Sequence, residues 1–167
     1  YLSEDLINLS GRKFHAKRNH ISKFKNCYPD YRFEEITNSN KEDAYKVMLD
    51  WCAENEIDIE HYEEKNAIRE ALNNMDEFKM HGGIVYVKDK AVAMTLGCEI
   101  SPIAFDICFE KALREYDGIY AVINNEFAKT LSSYKYINRE EDMGIEGLKK
   151  SKLSYNPIIL IARYNAT

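Results

Sequence analysis

The chain has 167 residues, 45% apolar and 31% charged, which fits one domain over residues 1–167 with a sizeable core. Seven glycines and three prolines exclude collagen-like and low-complexity architectures, and no run of about 18 apolar residues offers a membrane span. The net charge of −5 hides a partition: residues 6–29 and 147–167 carry Lys and Arg without a single acid, while the middle is strongly acidic. Such a partition predicts a basic face built from the two ends, suited to phosphate-bearing partners. Neutralisation of the acidic middle by those ends explains it equally well. The chain opens on Tyr1 rather than Met, as expected of a piece of a longer protein. No leader of the secretory type is visible, and a cytoplasmic location is expected.

The first periodic segment is residues 12–28. Phe14, Ile21, Phe24 and Tyr28 share one helical face, the basic residues occupy the others, and Pro29 stops the helix. Tyr31 to Ile36 alternates as a strand does. Ala44, Val47, Met48, Trp51 and Cys52 then form an amphipathic helix, with Ser39 or Asn40 as its cap. A third helix is predicted from about Glu60 to Met75. Gly82-Gly83 breaks the pattern, and Ile84 to Val87 reads as a strand. Lys88-Asp89-Lys90 forms a hairpin turn, and Ala91 to Ile100 a longer strand. Gly97 inside it marks a bulge or a close backbone approach. Phe105 to Glu110 alternates so that Asp106 and Glu110 share a polar face, about 13 Å apart. Asp117 can cap a helix with the stripe Ile119, Val122, Ile123, Phe127 and Leu131. Tyr134 to Asn138 is a short strand, Arg139 to Gly144 a charged loop and Ile145 to Leu153 a helix. A final strand is expected over Ile158 to Ile161.

Cys27, Cys52, Cys98 and Cys108 show no C-x-x-C spacing, and His15, His20, His61 and His81 form no H-x-x-x-H pattern. No metal site is expected. The thiols read as buried and inert, in a reducing compartment.

One strand, two helices, three antiparallel strands, helix, strand, helix, strand is an order that resembles the GCN5-related acyltransferase fold. The resemblance implies an α/β (α+β) domain. Its mixed sheet would be mainly antiparallel with one splayed parallel pair, and helices would cover both faces. Local runs sharpen the likeness. Gly11-Arg12-Lys13-Phe14-His15-Ala16-Lys17-Arg18-Asn19-His20-Ile21 is similar to the opening of a bacterial family related to the C-terminal domain of phosphatidylglycerol lysyltransferases. Tyr136-Ile137-Asn138-Arg139-Glu140-Glu141-Asp142, continuing through Lys149-Lys150-Ser151-Lys152 to Pro157, is similar to its closing signature. Ile123-Asn124-Asn125-Glu126-Phe127-Ala128 fits the helix between them.

Relatives of this type have two tandem halves, and this chain resembles the second, so a partner half packed against it is expected. The resemblance implies transfer of an acyl or aminoacyl group to an amine or hydroxyl, with aminoacyl-tRNA or acyl-CoA as donor and no tightly bound cofactor. A non-catalytic module that binds a polyanion or a partner domain is the alternative. Standard acetyltransferases carry a Q/R-x-x-G-x-G/A loop ahead of the donor-binding helix. Here Arg114, Gly118 and Tyr120 stand in that place, with the spacing one residue longer and Tyr120 replacing a small residue. Asp117-Gly118 also reads as a plain helix cap and turn. Arg139 is a further donor-binding candidate, since its guanidinium can fork a carboxylate or phosphate. An internal salt bridge to Glu110 or Asp142 explains it as well. Glu110, with Asp106 behind it, is the candidate general base, and Tyr155 the candidate proton donor. Solvated strand faces and a half-buried aromatic are the plainer readings. Arg12, Lys13, Lys17, Arg18, Lys149 and Lys152 are the candidate polyanion surface for tRNA.

Overall fold

The computed structural model describes residues 1–140 and 145–160. Its elements are α1 (Ser3–Asn8), α2 (His15–Cys27), β1 (Arg32–Glu35), α3 (Lys41–Glu54), α4 (Glu64–Asn73), β2 (Met80–Val87), β3 (Lys90–Ser101), β4 (Ala104–Ala112), α5 (Ile119–Thr130), β5 (Tyr136–Asn138) and α6 (Glu146–Leu153). The five strands form one sheet in chain order. The first four pair antiparallel, and β5 joins β4 in parallel. This is the mixed sheet with one parallel pair that the family resemblance implied.

Alternation along the central strands assigns the helices to two faces. Ile84 and Tyr86 of β2, with Met94 and Leu96 of β3, pack under the apolar stripes of α3 (Ala44, Val47, Met48, Cys52) and α4 (Ile68, Ala71, Leu72). Val85, Val87, Val92 and Ala93 face the other way, against Phe24 of α2 and Ile119, Val122 and Ile123 of α5. That face continues into a cluster of Leu6, Phe14, Phe105, Ile107, Phe127 and Ile137. Because β2 and β3 are covered on both sides, they read as near-continuous apolar runs.

Several elements differ from the sequence reading. Gly82 and Gly83 lie inside β2 and do not break it. A Cβ at Gly82 would come within 2.5 Å of the Thr95 carbonyl oxygen, and one at Gly83 within 2.4 Å of the Phe33 ring; the glycines serve close packing. The predicted 60–75 helix is split into a 3-10 turn at Ile59–His61 and α4, separated by an extended Tyr62. The short α1, which buries Leu6, carries too few turns to show a period and was not predicted. Asp117 does not cap α5. Gly118, left-handed at φ 89°, holds that position, and the Asp117 carboxylate pairs with Lys23 at 2.5 Å. Ile158, Ile159 and Leu160 form no strand and are 47–75% exposed. Ile161 lies outside the described residues, as do Glu141 to Gly144 of the charged loop.

The feature that positions the site is where β4 and β5 part. Their pairing covers three residues, Ala104 with Tyr136, Phe105 with Ile137 and Asp106 with Asn138. Beyond it, Ile107 to Ala112 continues with β3 alone among the described strands. The register between β3 and β4 slips at this point: Leu96 faces Phe109 and Gly97 faces Ile107, which leaves Cys108 as the extra residue of a bulge. A bulge bends its strand and adds twist, so β4 turns away just after its last bond to β5. Gly97 makes the bulge possible, because a Cβ there would sit 2.0 Å from the Asp106 carbonyl oxygen.

Gly97→Ala is therefore expected to cost about 2–4 kcal/mol, as overpacking against backbone does. Urea unfolding should show the loss as a lower midpoint at unchanged slope.

Candidate functional site

Glu110 of β4 lies opposite Thr95 of β3, in the stretch of β4 that has left β5. Arg139 follows β5 directly. Its Nη2 donates to Glu110 Oε1 at 2.9 Å, and the two side chains are only 9% and 12% exposed. Tyr155, two residues beyond α6, is 3% exposed. Its ring centroid lies 4.8 Å from the Arg139 guanidinium carbon and 3.9 Å from Lys17 Nζ, so two cations lean on one aromatic ring. Tyr1 closes the group: its ring is 5.9 Å from Arg139, and its hydroxyl donates to the Lys152 carbonyl at 2.9 Å. Lys152 Nζ in turn donates to the Arg139 and Glu140 carbonyls, at 2.5 and 2.9 Å.

Glu110, Arg139 and Tyr155, nominated separately from the sequence, thus meet where the two strands diverge. The internal Arg139–Glu110 bridge weighed there is present, and half of each group remains unused. Glu110 Oε2 and Arg139 Nη1 are buried and have no hydrogen-bond partner among the described residues; the same holds for Thr95 Oγ1 and both amide atoms of Asn124 on α5. Buried polar atoms are nearly always satisfied. An acceptor at Glu110 and a donor at Arg139 therefore describe a seat for a polar group that can both give and take a hydrogen bond.

The protonation states follow from burial and this pair. Burial opposes the Arg139 charge most strongly, but Glu110, Tyr155 and Tyr1 together outweigh it, so the guanidinium stays ionised and its pKa rises. Burial pushes the Tyr155 phenol up to about 12, against the pull of Arg139; it is a proton donor at neutral pH. Burial and then Arg139 lower the Lys17 ammonium to about 8. Burial also raises the Cys108 thiol to about 12, with Cys98 and Asp106 adding to it, so that thiol stays protonated.

Arg114, Gly118 and Tyr120 sit elsewhere, at the connection from β4 to α5. The Arg114 and Glu115 backbone N–H groups donate to the two oxygens of the Glu54 carboxylate, at 2.9 and 3.1 Å. Glu115 pairs with Lys90 at 2.8 Å. A Cβ at Gly118 would lie 2.5 Å from the His20 carbonyl oxygen, because α2 runs against the start of α5. Tyr120 turns back over β4. Its hydroxyl accepts from Trp51 Nε1 at 3.2 Å. Tyr120 thereby ties the start of α5 to Trp51 on α3.

The basic candidates divide in two. Lys13 pairs with Asp5 at 2.9 Å, and Arg18 donates to the Leu9 and Gly11 carbonyls. Lys17 and Lys152 are held in the Arg139 group. Arg12 and Lys149 remain exposed and without an ion pair among the described residues. Lys149 and Lys152 border a groove of about 600 Å³ beside β5, with Tyr136, Leu153, Ile158 and Ile159 among its walls. Sequence reasoning missed Glu54 altogether, and missed the place of Lys17 in the buried group. Neither carries a local motif.

A family model described as "Phosphatidylglycerol lysyltransferase, C-terminal" matches residues 1–167. A conserved protein of unknown function from Bacteroides thetaiotaomicron is 44% identical, with a TM-score of 0.90 over 96% of this chain and 55% of its own. The C-terminal domain of a proposed lysylphosphatidylglycerol synthetase from Agrobacterium fabrum shares the fold at 12% identity and a TM-score of 0.63, over 93% of this chain and 55% of its own. A ribosomal-protein-alanine N-acetyltransferase from Brucella melitensis shares it at 9% identity and a TM-score of 0.61, over 81% of this chain and 99% of its own. The chain thus spans about 55% of the first two proteins. No helix among the described residues is long and apolar enough to cross a membrane.

Two outcomes test the buried group. Arg139→Met strands a buried carboxylate and is expected to cost about 3–5 kcal/mol in chemical unfolding, while adding Glu110→Leu recovers most of that loss. The Lys17 ammonium, near 8 in the folded state against its ordinary 10.5, is charged in both states below pH 8. Between pH 8 and 10.5 only the unfolded chain keeps the proton, so this lysine makes stability rise with pH across that window. Thermal melts of Lys17→Met should lack that part of the rise and run above wild type at neutral pH.

Proposed function

The chain belongs to the family of phosphatidylglycerol lysyltransferase C-terminal domains, and from that membership we propose that it moves an acyl group from an activated carrier to an amine or hydroxyl acceptor. The preferred carrier is an aminoacyl-tRNA ester; acyl-CoA is the other donor in this class. The observation that carries the reading is the meeting of Glu110, Arg139 and Tyr155 beyond the last β4–β5 pair.

In this mechanism the acceptor nitrogen or oxygen attacks the donor carbonyl carbon directly. Glu110 Oε2 orients the nucleophile and takes its proton as the new C–N or C–O bond forms. Arg139 Nη1 donates to the carbonyl oxygen as its negative charge grows, in a site shielded from water. The ester C–O bond to the carrier then breaks. Tyr155, protonated at neutral pH, gives its proton to the leaving oxygen, and the proton on Glu110 restores the phenol. No covalent enzyme intermediate is required.

The Glu54 carboxylate already seated on the β4–α5 connection favours a tRNA ester over a CoA thioester. Exposed Arg12 and Lys149, on the two acid-free segments, supply charge for a nucleic-acid backbone. The other half of the longer protein is seated, in this reading, on the apolar groove beside β5. One observation favours the alternative, a module that binds a polyanion or partner without catalysis: Arg139, Glu110 and Tyr155 themselves occupy part of the gap.

The test is acyl transfer from a radiolabelled aminoacyl-tRNA pool, and separately from acyl-CoA, to amine and hydroxyl acceptors, with this chain and with a full-length relative. Glu110→Gln and Tyr155→Phe should each lower the rate about 10²–10⁴-fold, with circular dichroism checking that Glu110→Gln, which leaves Arg139 buried without its counter-charge, is folded at the assay temperature. Salt-sensitive tRNA binding with no transfer by any form would overturn the enzyme reading in favour of the module.

A further inference from the structure

We infer that Glu54 sets donor specificity by filling the domain's own anion seat, so that donors carrying a pyrophosphate, such as CoA, are excluded. This inference deepens the transferase reading and rests on it for its meaning, but not for its test.

A strand that enters a helix through a short loop presents backbone N–H groups outward, and such a cluster is a ready anion site. Here the seat is taken. Two successive N–H groups, Arg114 and Glu115, donate to both oxygens of one carboxylate at 2.9 and 3.1 Å, a charge-assisted pair. The Tyr116 N–H is spent on the Leu113 carbonyl and the Ile119 N–H on the Tyr116 carbonyl. Four donors of the connection, from Arg114, Glu115, Tyr116 and Ile119, are thus taken by the protein itself.

The position of Glu54 is informative. It is the last residue of α3, where the helix dipole disfavours a negative charge. Its own helix gives no reason for a carboxylate there; the N–H pair 60 residues later in the chain does. Two further carboxylates, Glu115 and Asp117, surround the loop, each held by a lysine from another element, Lys90 and Lys23. An arriving diphosphate would have to expel one carboxylate and approach two more. It would also meet the His20 carbonyl, which sits 2.5 Å from where a Cβ on Gly118 would be. An aminoacyl ester at the end of a tRNA has no pyrophosphate beside its carbonyl and loses nothing by this closure.

The experiment measures binding of CoA and of inorganic pyrophosphate by calorimetry, with hydrogen exchange at the Arg114 and Glu115 amides. Wild type should bind neither ligand at millimolar concentration and should protect both amides. Glu54→Ala should expose both amides and bind pyrophosphate at least about tenfold more tightly, as removal of one charge at contact distance implies. Glu54→Gln, whose amide oxygen accepts but whose NH2 cannot, should fall between. Wild-type binding of CoA that Glu54→Ala leaves unchanged would overturn the inference. Exposure of both amides in Glu54→Ala without any gain in pyrophosphate binding would overturn it too. A gain in the variant with no transfer activity in wild type would leave this inference standing and remove the transferase reading.

Discussion

The site depends on one contact between backbones. At Gly97 the chain of β3 lies so close to the Asp106 carbonyl that no side chain fits between them. That approach lets β4 carry an extra residue at Cys108, and the bulge swings the rest of the strand away from β5. Sheets do not part spontaneously, because each unpaired N–H and C=O must be satisfied.

A gap opened in this way would ordinarily fill with apolar side chains. It holds instead the Arg139–Glu110 salt bridge and the Tyr155 phenol, on whose ring Arg139 and Lys17 both stack. A buried ion pair rarely repays its desolvation in stability, and here each partner keeps an unsatisfied atom. The arrangement is poor as a structural device and well suited to contacting a polar ligand. The β4–α5 connection shows the opposite tendency. Its polar groups are paired off by Glu54, Lys90 and Lys23, which leaves little for a ligand. The C-terminal part of β4 thus borders a group with unused polar atoms at Glu110 and Arg139, while the connection that follows it is largely paired off.

Much of the fold was legible in the sequence. The stripes of α2, α3 and α5 repeat at helical spacing over more than two turns, long enough for period to identify them. The Lys88-Asp89 hairpin and the bulge at Gly97 are local events with local signals. The failures share a cause. Gly82 and Gly83 mimic a loop in composition, yet serve contact with Thr95 and Phe33 from neighbouring strands. Ile158 to Leu160 have the composition of a strand, but composition does not supply a sheet edge to pair with.

By itself the sequence determined the kinds of element, their apolar faces and the acid-free basic segments, because each depends on side chains within a few residues of one another. It also named Glu110, Arg139 and Tyr155, but only as separate candidates. Only the tertiary structure decided that these three share one buried group, that Lys17 belongs with them, and that Glu54 closes the loop after β4. Arg139 and Glu110 are 29 residues apart and Glu54 and Arg114 are 60 apart. Strand register and helix packing set those distances, and no local pattern of residues records them.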